Sequence, residues 1–275
     1  MQLIEKKKLN SRQAILDCYR DFHDPSFLDL DPLMIIRTYL GTKQAEEIAL
    51  NGALFAFGAV KQIQKSLEKS ILLTSGVDLY AQKLDEPQMA ELLFEALKGF
   101  RHRIYVDRDL VLLKLLYRRS LLRHGSLENH FLKHHREQDE TIEAGLCGLI
   151  SDYRKWVEEI RFKPGPHFHH MLNSPEQKSA CKRWVMFLKW VVRKDDGMDL
   201  GIWKNSVIRT DQLVIPMDTH LWKISRNLKL TNRKSVNWLT ALDVTRSLKK
   251  IDAQDPTRFD FSLCRYGMLK YRKRI

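Results

Sequence analysis

A chain of 275 residues with 44% hydrophobic content is long enough to bury a substantial core, as one large domain or as two lobes. Mean hydropathy is −0.38, and Lys or Arg cuts every apolar run well short of ~18 residues, which excludes a membrane-spanning helix. The net charge of +13 and pI near 9.6 point to a polyanion as partner, for which nucleic acid is the commonest cytoplasmic candidate, although some basic proteins simply carry solvated lysine faces.

The opening MQLIEKKKLN lacks the apolar stretch of a secretory signal, so a cytoplasmic protein is expected, nucleoid-associated when bound to DNA. Cys18, Cys147, Cys181 and Cys264 are too scattered for a disulfide framework or an iron-sulfur motif, and free thiols are expected. Few alternating β-branched runs occur, and an all-α fold follows. The pattern predicts a first helix over Leu3 to Asp21 and a loop at His23 to Ser26. A short helix then starts at Asp31-Pro32 and ends at Gly41. Lys43 to Lys69 reads as one long helix, with Gly52, Ala53, Ala56, Gly58 and Ala59 allowing close approach or a bend.

Further helices are expected over Pro87 to Leu97, Asp107 to Arg123, Ser126 to His134 and Asp139 to Phe162. The junction GFRHRIYVD between two of them brings Arg101, His102 and Arg103 together, either facing a phosphate or forming a solvated basic loop. RFKPGPHFHHMLNSP, rich in proline and histidine, separates a front portion, residues 1 to 162, from a back portion, residues 163 to 275, of a single unit. The last helices are expected over Val236 to Lys250 and Pro256 to Leu269, before a basic tail of Lys270, Arg272, Lys273 and Arg274.

The chemistry concentrates between Ser174 and Asn227. Ser174-Pro175 has the form of a helix start, and a helix to about Arg193 is predicted. Cys181, Trp184, Val185, Leu188, Val191 and Val192 form its buried stripe, while Lys182, Met186, Lys189 and Arg193 fall on another stripe that presents amines. After Val214-Ile215-Pro216, Asp218 stands at the first turn of an amphipathic helix carrying Leu221, Trp222, Ile224 and Leu228. Taken alone, Lys182 could be a solvated lysine and Asp218 an ordinary N-cap.

An amine with a facing carboxylate can do nucleophilic chemistry, the amine as nucleophile and the carboxylate as electrostatic and proton-handling partner. Lys178, Arg183 and Lys189, close to Lys182 in sequence, are expected to lower its pKa through like charge. His134-His135 and His167-X-His169-His170, with Glu137, Asp139 and Glu140, invite a metal reading, but no His-Glu-X-X-His or Cys-X-X-Cys spacing supports it, so no metal or cofactor is expected. Neither a Gly-rich phosphate loop nor a Gly-X-Ser-X-Gly elbow is present.

The lysine, the aspartate 36 positions later and the PMDTHLWKISRNL segment resemble the helix-hairpin-helix DNA glycosylases, whose Pro-Val-Asp-Thr-His-Val stretch holds their catalytic aspartate. QKSACKRWVMFLKW is similar to the lysine helix of the archaeal 8-oxoguanine glycosylases, Lys182 matching the Schiff-base lysine and Lys189 a second lysine. Through SACKRWVMFLKWVVRKDDGMDLGIW, VIPMDTH and DPTRFDFSLCRYG the chain also resembles, from about Asn51 to Met268, a bacterial family of unknown function within that superfamily.

The resemblance implies two helical lobes flanking a cleft, and base-excision repair of DNA, with an oxidised purine removed and the abasic site cleaved by β-elimination. It assigns Lys182 and Asp218 to catalysis and offers Lys189, Asp260, Trp190, Trp222 and Phe261 as base-pocket candidates, the aromatics having core packing as their alternative; Phe55 and Phe57 stand in the same position. Ser174, Lys178, Ser179, Arg183, Arg101, Arg103 and His220 are candidates for the DNA backbone, with the turn before Pro175 offering amides and a hydroxyl. Two other readings stay open: a nucleic-acid-binding module without the chemistry, and an enzyme acting on RNA or a modified nucleoside.

Overall fold

The computed structural model describes residues 11–204 and 206–271, and among them the fold is all-α. The expected start at Leu3 and the tail residues Arg272, Lys273 and Arg274 lie outside the described residues. Helix α1 is Ser11–Phe22, α2 Leu33–Arg37, α3 Ala45–Leu54, α4 Val60–Leu73 and α5 Glu86–Leu97. A two-stranded antiparallel hairpin, β1 Arg101–His102 and β2 Tyr105–Val106, leads into α6 Asp107–His124. There follow α7 Leu127–Leu132, α8 Glu143–Glu159, α9 Lys182–Val192, α10 Thr219–Asn227, α11 Trp238–Lys249 and α12 Asp260–Tyr271. No helix among the described residues is long and apolar enough to cross a membrane.

Local chemistry sets most of these boundaries. Asp85 caps α5 by accepting from Gln88 N at 2.8 Å while the Gln88 side chain accepts from Asp85 N. Ser126 caps α7 and Asn237 caps α11, each accepting from the amide three residues on. The helix expected over Lys43 to Lys69 is two helices instead. Between them Gly58 takes φ +105°, and the Arg103 side chain lies where a Cβ would stand. A glycine that must be left-handed ends a helix however apolar the run around it.

The basic junction is likewise more ordered than expected. His102 is fully buried between Ser66 Oγ and the Phe55 carbonyl, each at 2.9 Å, and the hairpin turns at Arg103 with φ +54°.

One contiguous core runs from Ile15 in α1 to Leu263 in α12. α3 packs on α9, and α12 packs on both α10 and α1. The Cys18 thiol of α1 donates to the Ser262 carbonyl of α12 across 244 residues of chain. The front and back portions are therefore interlaced, because α1 is buried against the last helix rather than among its sequence neighbours.

Two predictions arise from this packing. A Cβ on Gly145 of α8 would overlap the ring of Phe131, which is completely buried and cannot retreat. In Gly145→Ala the helix gains about 1 kcal/mol from the exchange, but crowding costs about 1–3 kcal/mol, so a net loss of up to about 2 kcal/mol is expected in urea unfolding. Burial also pushes the thiols of Cys18 and Cys181 up to about 12. Iodoacetamide at pH 8 should leave both unmodified in the native protein and alkylate both once urea unfolds it, as read by mass spectrometry.

Candidate active site

The helix carrying Lys182 begins eight residues later than its sequence suggests. Ser174 does cap a turn, but only the three-residue 3-10 helix Pro175–Gln177. The chain then passes through left-handed conformations at Lys178, φ +60°, and Cys181, φ +47°. Ser179 Oγ accepts from Cys181 N at 3.2 Å, and the Cys181 thiol donates to the Asn173 carbonyl at 3.4 Å, holding this reversal. Lys182 is thus the first residue of α9, placed by a fixed double turn rather than in mid-helix.

Asp218 is the N-cap of α10, as read from the sequence. Its Oδ1 accepts from Leu221 N at 2.8 Å, and its Oδ2 faces Lys182 Nζ at 3.0 Å. The two side chains are 33% and 16% exposed, so the pair lies in a recess that solvent still reaches. Behind it, Asp260 and Cys264, one turn apart on α12, and Asp31, which accepts from Leu33 N ahead of α2, sit close enough to Lys182 to couple with it electrostatically.

Burial is the largest influence on the Lys182 ammonium and pulls its pKa down, but the Asp218 carboxylate, helped by the charges behind it, more than offsets this and the net shift is upward. The downward shift expected from Lys178, Arg183 and Lys189 does not arise, because Asp218 is nearer and Lys189 is neutralised elsewhere. For Asp218, burial pushes up, and the Lys182 charge with the Leu221 amide brings it below the usual carboxylate range. A raised lysine stabilises the fold below its ordinary value and loses that as pH rises through the folded pKa; a lowered aspartate stabilises above its ordinary value and loses that as pH falls. The ion pair therefore stands from about pH 4 to about pH 10.

Lys189 does not present an amine to solvent. It is 3% exposed, with its ammonium 2.9 and 3.2 Å from the two Asp199 oxygens and 3.6 Å from Asp260. Burial pulls its pKa down despite Asp260, and burial pushes the Asp260 carboxyl up despite Lys189. Arg193, one turn on, also binds Asp199, and its guanidinium reaches Asp255 at 2.9 to 3.1 Å and Asp196 at 3.2 Å. What reads as an amine stripe is a buried ionic seam between α9 and the loop that follows it. Nothing in the acidic run around Asp199 marks it as the counter-ion, and Asp31 and Cys264 were equally silent in sequence.

Trp190 is a core residue, 4% exposed. Trp222 donates its indole N–H to the Arg233 carbonyl at 3.1 Å and lies under Arg226, on the side of α10 toward the following loop; Phe261 is half-buried against the core. Phe55 is buried, and Phe57 is half-buried beneath Arg103 and Arg183.

The expected backbone contacts divide in two. Ser174 is completely buried and Ser179 is committed to its turn, so neither offers a free hydroxyl. Arg183 is half-buried and held, donating to the carbonyls of Leu54 and His170 and to the Tyr105 hydroxyl. Lys178, Arg101, Arg103 and His220 are exposed, His220 immediately beside Asp218 at the start of α10.

A cavity of about 180 Å³ opens elsewhere, lined by Tyr39, Glu47, Ile48, Thr74, Tyr80 and Lys114, and shares no residue with the Lys182 recess. A second polar group missed in sequence joins His130 and His134 to Asp152; the spacing of four between the histidines was its only signal.

No curated protein and no solved structure matches the chain. The model of a family described as a protein of unknown function (DUF2400) matches residues 31–269, and the chain belongs to that family.

Proposed function

We propose that the protein is a DNA glycosylase with abasic-site lyase activity that removes an oxidised purine through a Schiff base on Lys182. The observation that carries this reading is the meeting of Lys182 Nζ and Asp218 Oδ2 at 3.0 Å in an open recess, from positions 36 residues apart. The local resemblance to helix-hairpin-helix glycosylases, with two lobes flanking a cleft, and the net charge of +13 lend it support.

In this reading the resting ammonium first gives a proton to Asp218. The freed amine then bonds C1′ of the damaged nucleotide as the bond from C1′ to the base breaks, and the base departs with a proton. The attached nitrogen sheds a proton and its lone pair opens the sugar ring, breaking the C1′–O4′ bond as O4′ takes up a proton, and the protonated Schiff base so formed loses a 2′ proton and then the 3′ phosphate, cutting the strand. The proton the base carries away is the one Asp218 took from Lys182, so Asp218 is again anionic at the N-terminus of α10 as positive charge develops on the sugar, and it steadies that charge. Asp260 adds a further acidic group within electrostatic reach of Lys182. Lys178, Arg101, Arg103 and His220 are the exposed groups available to phosphate, and the protein would act at the DNA of the cytoplasm.

The base must be everted to react, and the 180 Å³ cavity lies away from Lys182, so room for it is made at the recess on binding. A panel of duplexes, each with one oxidised or deaminated base, incubated with the protein and sodium borohydride tests the reading. A covalent protein-DNA product with 8-oxoguanine duplex is expected. No product with any member of the panel or with an abasic duplex would sink it in favour of a binding module, and trapping to structured RNA alone would favour an RNA enzyme.

A further inference from the structure

We infer that His130, His134 and Asp152 form a binding site for one divalent transition-metal ion of the zinc class, away from the proposed chemistry. His130 lies in α7 and His134 just beyond it, four residues on, while Asp152 faces both from α8. Their ligand atoms all lie within 4.8 Å of one another. Asp152 Oδ2 is 3.2 Å from His130 Nε2 and 2.7 Å from His134 Nε2. Ligands about 2.0–2.2 Å from a tetrahedral ion stand roughly 3.4 Å apart, so the group needs only a small opening to admit one.

His130 is already positioned as metal-ligating histidines are. Its Nδ1 is 2.9 Å from Ser120 Oγ, which in turn lies 3.0 Å from the Tyr153 hydroxyl, and with Nδ1 as the donor the Nε2 lone pair points at the group. The ring is completely buried, stacked on His124 at 4.4 Å and on Trp156 at 4.7 Å, which fixes its plane. Two imidazoles and one carboxylate suit Zn²⁺, Co²⁺, Ni²⁺ or Fe²⁺, whereas Ca²⁺ and Mg²⁺ take oxygen. His134 is 25% exposed, so the fourth position faces solvent and takes water or an outside ligand.

Lys133 competes for the site. Its ammonium is 3.0 Å from the same Asp152 oxygen and must swing out as the ion enters, which is easy for a side chain half exposed. The ion then links the end of α7 to α8, replacing the three hydrogen bonds to Asp152 with three coordinate bonds.

The test uses the full chain, stripped with chelator, dialysed and titrated with zinc chloride by calorimetry, with cobalt absorption as the spectroscopic signature. Expected are one equivalent bound at low-micromolar Kd or tighter, intense visible cobalt bands, and a melting temperature raised by several degrees. His134→Ala and the isosteric Asp152→Asn should each weaken binding at least about tenfold, Ser120→Ala by about tenfold, and Lys133→Ala should tighten it. His167, His169 and His170, whose rings lie together, are the rival site. No saturable binding below about 100 µM would overturn the inference, as would binding unchanged by His134→Ala and Asp152→Asn but lost in His169→Ala.

Discussion

On the proposed mechanism, Lys182→Gln is expected to abolish borohydride trapping to damaged duplex while leaving the fold and any salt-dependent DNA affinity in place. Glutamine has no amine to attack C1′, but it can still donate to Asp218, which also keeps the Leu221 amide, so the melting temperature should move little. Asp218→Asn is the informative companion. Asparagine is as good an N-cap as aspartate, so α10 keeps its start, and only the charge is removed. Burial then acts on Lys182 without the carboxylate that now offsets it, and the lysine pKa falls. Excision should slow by about 10²–10⁴-fold, the usual share of a proton-transferring partner, and its pH profile should shift to lower pH. Trapping undiminished in Lys182→Gln would leave the amine to some other residue and end the proposed mechanism.

The largest expected loss of stability is at Asp199, which no chemistry requires. Asp199→Ala removes the carboxylate that Lys189 and Arg193 share inside the protein and leaves two buried cations facing each other. Breaking one side of a buried ionic group costs about 3–5 kcal/mol, and the urea midpoint should fall accordingly. Asp255 and Asp260 still touch this seam, so the upper part of that range would mean that they compensate little. A loss below about 1 kcal/mol would show that water enters to solvate the cations.

The helices were legible because their apolar spacing is regular, and α5, α6 and α11 lie within a residue or two of where that spacing puts them. The double turn before Lys182 and the break at Gly58 were not. Both depend on left-handed backbone, which Lys178 and Cys181 do not announce and which one glycine among several small residues announces only weakly. The Lys182–Asp218 meeting was read correctly as geometry, through local motifs rather than periodicity. The fate of Lys189 was not, since a lysine at helical spacing looks the same whether it meets solvent or an aspartate ten residues away. The partners of Arg183 and Ser174 were illegible for a related reason: they are carbonyls, a hydroxyl and a thiol contributed by distant or folded-back segments.

The union of α1 with α12 bears on how the molecule is made. Cys18 leaves the ribosome 244 residues ahead of its partner Ser262, roughly 12–50 s earlier at about 5–20 residues per second. Throughout that interval the flank of α1 that α12 covers stays open, and it closes only once α12 has been made. Asp260 and Cys264 arrive with α12, so the recess is finished last, and a nascent chain should carry Lys182 and Asp218 for some time before they have a back wall.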